Sequence, residues 1–181
     1  MRKFVLVVFI FACVLFVMAV SAQDIKGKFG VGYRYGFVHP DDADYKTNGN
    51  AHNLNLTYGL SDNLALEGET GYFRLKSKAG TEVGVYSLFT SMQFRLNLDK
   101  FVPYLVGGVG LQYYDYDNLG EGDREDNKFS FAYRFGTGLE YFLKKNLSIN
   151  GELVYVYGNT GGDATLDVYG WQYCAGAKFY F

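Results

Sequence analysis

The sequence predicts an all-β protein: an eight-stranded antiparallel up-and-down transmembrane β-barrel. Three observations carry this. Eight stretches alternate between apolar and small or polar residues with a period of two, the period of a strand whose side chains point to opposite faces. The connections between them alternate long and short, as in an outer-membrane barrel with long external loops and short periplasmic turns. Across all eight stretches the apolar parity carries no Lys, Arg, Asp or Glu. A basic residue facing lipid at mid-depth costs about 2–4 kcal/mol.

The first strand is expected from Lys28 to Val38, with Phe29, Val31, Tyr33, Tyr35 and Phe37 on one face and Lys28, Gly30, Gly32, Arg34 and Gly36 on the other. A polar loop over 39–50 follows. The second strand, about Ala51 to Leu60, sets Leu54, Leu56, Tyr58 and Leu60 against Asn53, Asn55, Thr57 and Gly59. Ser61-Asp62-Asn63 is a tight turn. The third, about Leu64 to Phe73, opposes Leu64, Leu66 and Tyr72 to Glu67, Glu69 and Phe73, and a longer loop covers about 74–82. The fourth ends in Leu88 to Leu98, with Phe89, Ser91, Gln93, Arg95 and Asn97 on the polar parity, and turns at Asp99-Lys100.

The fifth strand starts near Pro103, a position where proline is tolerated because a strand's first residue need not donate to the ladder. An acidic loop is expected over 115–127. The sixth runs from Phe129 to Leu143, with Arg134 and Glu140 opposite its aromatic face, and turns at Lys144-Lys145-Asn146. The seventh, Leu147 to Tyr157, turns Asn150 and Glu152 inward; a flexible loop over 158–165 follows it. The last, Tyr169 to Phe181, alternates Tyr169, Trp171, Tyr173, Ala175, Ala177, Phe179 and Phe181 with Gly170, Gln172, Cys174, Gly176, Lys178 and Tyr180.

Ahead of these strands, Met1-Arg2-Lys3 opens an uncharged apolar run from Phe4 to Val20 that ends in Ser21-Ala22. This pattern is that of a secretory signal cleaved after Ala22. The expected domains are therefore a signal peptide over 1–22 and a barrel over 23–181. A retained anchor lacks the reason for the small-residue site. A lipoprotein signal is disfavoured by Phe11 close before Cys13. The mature chain then carries 15 basic and 19 acidic residues, net about −4, with no clustered basic excess of the kind that binds nucleic acid. One cysteine, Cys174, remains, so no intramolecular disulfide and no Cys/His zinc set is available. The chain holds 19% aromatic residues and 23 glycines, and no long apolar run follows the signal, which excludes a helical membrane protein.

A soluble lipocalin-like barrel inverts the same alternation, with its apolar face inward. The polar parity here is rich in glycine and in charges of both signs, and tyrosines and Trp171 cluster near strand ends, where the aromatic girdles of a membrane barrel lie. The polar parity is therefore assigned to the lumen. It holds Lys28, Arg34, Arg95, Arg134 and Lys178 against Glu67, Glu69, Glu140 and Glu152. An eight-stranded barrel is just wide enough for side chains to fill it, and buried charges must pair. The expectation is a plugged polar lumen, with Glu67 paired to Arg95 and Glu152 to Lys178. A narrow ion path along these groups is the alternative.

Pro103-Tyr104-Leu105-Val106-Gly107-Gly108-Val109-Gly110, Phe135-Gly136-Thr137-Gly138-Leu139-Glu140-Tyr141 and the terminal Phe179-Tyr180-Phe181 resemble the small bacterial outer-membrane β-barrel families: the OmpA transmembrane domain, OmpX/Ail, OmpW and the broad porin-family group. The resemblance covers the whole mature chain. It implies an outer-membrane location reached through the periplasm, lipid and lipopolysaccharide as surroundings, and a monomeric state. It also implies periplasmic chaperones and the barrel-assembly machinery as partners in biogenesis, with Phe179 and Phe181 as the assembly signal. No cofactor is implied, and no peptidoglycan-binding domain is expected to follow.

The enzymatic members of such families give a further comparison. The His-x-Ser pattern of the lipid A deacylase type fails at His39-Pro40-Asp41 and at His52-Asn53-Leu54, and no serine adjoins His39 as the palmitoyltransferase type requires. Asp115, Asp117, Gly120 and Asp126 imitate part of a calcium loop, but Leu119 occupies a ligand position and a strand precedes the loop. Lys76 and Lys78 are placed to meet lipopolysaccharide phosphates. The function expected is a non-enzymatic structural or surface-interaction barrel with four external loops. A narrow porin and a lipid A-modifying enzyme are the other readings.

Overall fold

A computed structural model describes residues 25–41, 45–47, 49–77, 82–117, 128–159 and 169–181. The expected signal peptide lies outside the described residues. In chain order the strands are β1 (Phe29–Pro40), β2 (Tyr45–Thr47), β3 (Gly49–Ser61), β4 (Leu64–Ser77), β5 (Glu82–Arg95), β6 (Phe101–Asp117), β7 (Lys128–Lys144), β8 (Leu147–Asn159) and β9 (Tyr169–Tyr180). Eight of them pair in the ring β1-β3-β4-β5-β6-β7-β8-β9, and the β1–β9 and β4–β5 ladders close it. Every ladder is antiparallel. The three-residue β2 adds to the far end of β4 and lies inside the stretch expected to be loop.

The alternation decides which way each strand faces. β1 and β3 alternate between exposed and buried residues along nearly their whole length. The exposed set is apolar: Leu54, Leu56, Leu105, Phe135 and Phe179 among many. The buried set holds the polar and charged groups. That inversion is stable only when the outside is hydrocarbon, because apolar area facing water costs roughly 25 cal/mol per Å². Aromatic rows border the band. Tyr72, Tyr86, Tyr113 and Phe129 stack across four strands with ring centroids 4.7, 6.2 and 5.0 Å apart at the long-loop end. Phe29 meets Tyr58 and Phe101 meets Tyr141 at 4.7 Å near the short-turn end.

The first two short connections are tied to each other, and the second is tied to the end of β7. The Asn63 amide side chain donates to the Arg95 carbonyl (2.9 Å), the Arg95 amide donates to the Asn63 carbonyl (2.8 Å), and Asn97 donates to the Asp62 carbonyl. The Phe142 amide donates to the Lys100 carbonyl at 2.9 Å. Asp99 takes a positive φ of 57°, the left-handed geometry that Asp tolerates better than most residues and that reverses the chain before β6.

Strand ends differ from expectation in one systematic way. At the long-loop end the strands run on: β4 reaches Ser77, β5 begins at Glu82, and β6 reaches Asp117. Asp115 and Asp117 therefore belong to a strand paired with β5, not to an acidic loop. Lys78, Gly120 and Asp126 lie outside the described residues. At the other end β5 stops at Arg95, short of Leu98, and β6 begins at Phe101, two residues before Pro103.

Candidate functional site

The lumen is stratified. At the long-loop end Val38, Ala51, Phe73, Leu75, Val83, Val85, Tyr114 and Cys174 form an apolar layer. At the short-turn end Ile25, Ala65, Val102, Phe142 and Tyr180 form another. Between them lies a layer of ions.

Arg34, on β1, is its centre. The guanidinium is fully buried and uses all three nitrogens. One terminal nitrogen donates to both oxygens of Glu67 (2.9 and 2.7 Å). The other donates to Glu69 (2.6 Å) and Glu152 (3.1 Å). Nε donates to the Asn150 side-chain carbonyl at 3.1 Å. Arg134, on β7, reaches across the lumen to the same Glu69 and along the wall to the same Glu152 on neighbouring β8. Lys178, on β9, donates to Glu67 at 3.0 Å. Glu67 also accepts from Thr57 and Gln93, and Glu152 accepts from the Tyr104 hydroxyl at 3.0 Å.

A second module sits closer to the short turns. Arg95 pairs with Glu140 at 2.6 Å, and Glu140 also accepts from Ser148 and from the Tyr180 hydroxyl. Gln93 joins the modules: its amide nitrogen donates to Glu67 (2.9 Å) while its carbonyl accepts from Arg95 (3.1 Å). The charges balance, with Arg34, Arg95, Arg134 and Lys178 against Glu67, Glu69, Glu140 and Glu152. All eight are at most 7% exposed. Desolvating ions costs several kcal/mol each, and the cost is offset only where every carboxylate gains several donors, as here.

Of the nine charged positions picked from the alternation, the structure joins these eight in one network. Lys28 lies in the turn before β1, half-buried. The partners differ from expectation. Glu67 lies opposite Ser91, and Arg95 is four residues farther along β5, opposite Tyr104. Glu152 lies opposite Cys174, and Lys178 is four residues farther along β9, opposite Ser148. Four residues span roughly 13 Å of strand at about 3.3 Å each, an offset that the long Arg134 side chain on β7 does bridge along the wall to Glu152 on β8. The ion pairs of Glu67, Arg95 and Lys178 run between strands that are not neighbours.

Tyr104, Tyr180, Gln93, Thr57 and Ser148 also serve the network and were not singled out from the sequence. The signal was present in their inward parity. Gly138 makes room for Tyr104: a Cβ there would lie 2.3 Å from its ring. Oxygens of Glu67, Glu69 and Glu152 lie within 4.8 Å of one another, a spacing that suits a cation. Arg34, Arg134 and Lys178 supply the positive charge at that place. His52 lies on the outer face in the long-loop girdle, bonded to the Tyr33 hydroxyl at 2.7 Å, and His39 lies near the end of β1. Phe179 and Phe181 point outward, and Phe181 and Phe29 exchange backbone hydrogen bonds of 2.9 and 3.1 Å at the closing seam.

A closed ring of eight antiparallel strands with an apolar exterior, aromatic borders and a polar interior defines a small transmembrane barrel of the outer-membrane type. The chain belongs to the family of the outer membrane protein beta-barrel domain, whose model matches residues 9–179. No curated protein matches it by sequence. Among solved structures it is similar to Neisserial surface protein A, with 19% identity, a TM-score of 0.63 and coverage of 85% of this chain and 96% of that one. It is also similar to the N-terminal β-barrel domain of OprF from Pseudomonas aeruginosa (15% identity, TM-score 0.60, 86% and 98% covered). The attachment invasion locus protein Ail of Yersinia pestis matches at 20% identity and a TM-score of 0.57, with 86% and 99% covered. Likeness at these identities is likeness of fold.

Proposed function

We propose that the protein is a sealed, non-enzymatic outer-membrane barrel with a structural or surface-interaction role. It is exported with a cleaved signal peptide and stands as a monomer in lipid and lipopolysaccharide. Its short turns face the periplasm and its four long connections face outward, so any recognition is carried by the outer end.

The observation that carries the sealed lumen is the balanced ion-pair network, which draws a side chain from each of the eight barrel strands and lies between two apolar layers. One gap in the lumen, between Gln112 and Gln172, measures about 10 Å³, room for about one water. The non-enzymatic reading is supported by the separation of the titratable groups: the lumen carboxylates are committed to guanidinium and ammonium partners, and His52 is bonded to a tyrosine. Planar-bilayer recording tests the reading. The purified barrel is expected to give no steady open events, and large steady openings would overturn it. Lipid A from cells with and without the protein is expected to carry the same acyl chains.

A further inference from the structure

We infer that the segment Ile25–Lys28 is a stopper for the short-turn mouth of the lumen, and that withdrawing it admits water to the ion-pair layer. The inference deepens the sealed-lumen reading and rests on it.

Ile25 precedes β1 and belongs to no barrel strand, yet it is only 1% exposed. It packs with Ala65, Val102, Phe142 and Tyr180, which come from β4, β6, β7 and β9 and so ring the mouth. A tight turn holds it there. The Lys28 amide donates to the Ile25 carbonyl at 2.9 Å. Gly27 takes a φ of 72°, a conformation that costs glycine little and other residues more. The Gly27 amide donates to the Gly59 carbonyl (2.8 Å), and the Gly59 amide donates to the Lys28 carbonyl (3.1 Å). Gly59 is needed for this approach, because a Cβ there would lie 2.0 Å from the Ile25 carbonyl oxygen.

The two ends of the lumen are therefore closed differently. The apolar layer at the long-loop end is built wholly from strand residues, which cannot leave without unmaking a ladder. The layer at the short-turn end includes one side chain on a segment docked through a few hydrogen bonds. That segment can swing away while all eight ladders stay closed. Directly behind it lies the ion layer, since Tyr180 packs in the same apolar cluster and donates its hydroxyl to Glu140 at 2.9 Å.

The test uses the mature protein in lipid vesicles, with Cys174→Ala to remove its one native thiol and Ala65→Cys as the reporter. Ala65 is fully buried in the mouth cluster. The probe is a small charged methanethiosulfonate, and only protein that keeps the compact, heat-modifiable gel mobility of a folded barrel is scored. With Ile25 intact the reporter is expected to be protected, and Ile25→Val is expected to keep it so. Ile25→Asp, which expels the side chain, and Gly59→Ala, which displaces the turn while keeping Ile25, are each expected to raise the labelling rate at least tenfold. Native-rate labelling in folded Ile25→Asp and Gly59→Ala proteins overturns the stopper, as does rapid labelling with Ile25 intact. Conductance of the unmodified barrel separates this from the parent reading: steady openings with Ile25 in place defeat the sealed lumen, whereas unchanged labelling with no conductance defeats only the stopper.

Discussion

Arg34→Met removes the one group bonded to three carboxylates and leaves the rest of the barrel wall unchanged. The lumen then holds three cations against four carboxylates, with Glu67, Glu69 and Glu152 sharing Arg134 and Lys178. Breaking a buried pair by removing one partner costs about 3–5 kcal/mol, because the charge left behind can neither reach water nor find a new donor. Arg34 and its partners are at most 7% exposed, so a loss of at least about 3 kcal/mol is expected. Arg74 offers the internal comparison. It pairs with Glu82 at 3.4 Å, but its side chain is 54% exposed, and a pair so placed is worth only about 0–1 kcal/mol. The same charge is removed in Arg74→Met, so the difference between the two variants measures burial.

The assay is reversible urea unfolding in lipid vesicles, followed by the fluorescence of Trp171, the single tryptophan. Added salt should weaken the Arg74–Glu82 contribution and leave the Arg34 contribution nearly unchanged, since screening acts on solvated pairs. Arg34→Met with Glu67→Gln restores three cations to three carboxylates. The new amide carbonyl can still accept from Lys178, Gln93 and Thr57, whose donors now meet Glu67. The double variant is expected to recover at least half of the loss, a coupling energy that a double-mutant cycle reads directly. A cost below about 1 kcal/mol for Arg34→Met, or no recovery in the double variant, would refute the view that uncompensated buried charge is what the network prevents.

Three further outcomes follow from the same geometry. Phe135→Arg, at the middle of the outer face of β7, should lower the unfolding free energy by about 2–4 kcal/mol, and Phe101→Arg, in the girdle, by about 0–1 kcal/mol, measured in the same urea assay. Tyr180→Phe removes one donor from Glu140 and should cost about 1.5–3 kcal/mol, the worth of a hydrogen bond to a charged group, without creating conductance in planar bilayers. Deleting Phe181 removes two seam hydrogen bonds, about 1–3 kcal/mol in all, but should lower the amount of barrel inserted in cells far more than that loss implies; equal insertion by cell fractionation would deny it a role in assembly.

The parity of each strand was legible because one face must meet lipid, so a charge such as Arg134 or Glu152 has only one side on which to lie. Partners were not legible, because neighbouring strands in a tilted barrel are staggered, and position along the chain does not give height in the lumen. Glu67 and Arg95 seem level when counted from their turns but are offset by four residues in the ladder. Tyr104 and Tyr180 escaped notice for a different reason. Both lie on the inward parity, Tyr180 beside Lys178, and only placement shows that their hydroxyl ends reach Glu152 and Glu140. Ile25 gave no signal because it sits in a turn, where no period marks a buried side chain. The extension of β4 was hidden because its outward parity turns from apolar to charged: Arg74 and Lys76 are exposed while Leu75 between them stays buried.

An ionic lumen also explains how such a barrel avoids closing in the wrong register. Slipping one strand by a single residue exchanges its two faces. In a barrel with apolar side chains on both faces that slip would carry little penalty, since hydrocarbon lies outside and hydrocarbon-like packing inside. Here a slip of β7 would turn Arg134 and Glu140 into lipid, and Arg134 alone would then cost about 2–4 kcal/mol. It would also leave buried Glu69 and Glu152 to share Arg34 alone and leave buried Arg95 without its carboxylate. Glu69 and Arg95 lie on strands other than the immediate neighbours of β7, so an error in one ladder is felt in ladders that are themselves correctly paired. Arg34 extends this furthest, because its three carboxylates stand on β4 and β8, on either side of β1 and not adjacent to it. The bond to Glu152, which lies beyond the β1–β9 seam, therefore requires that seam to close correctly, which ties the final ladder of the barrel to the ion layer inside it.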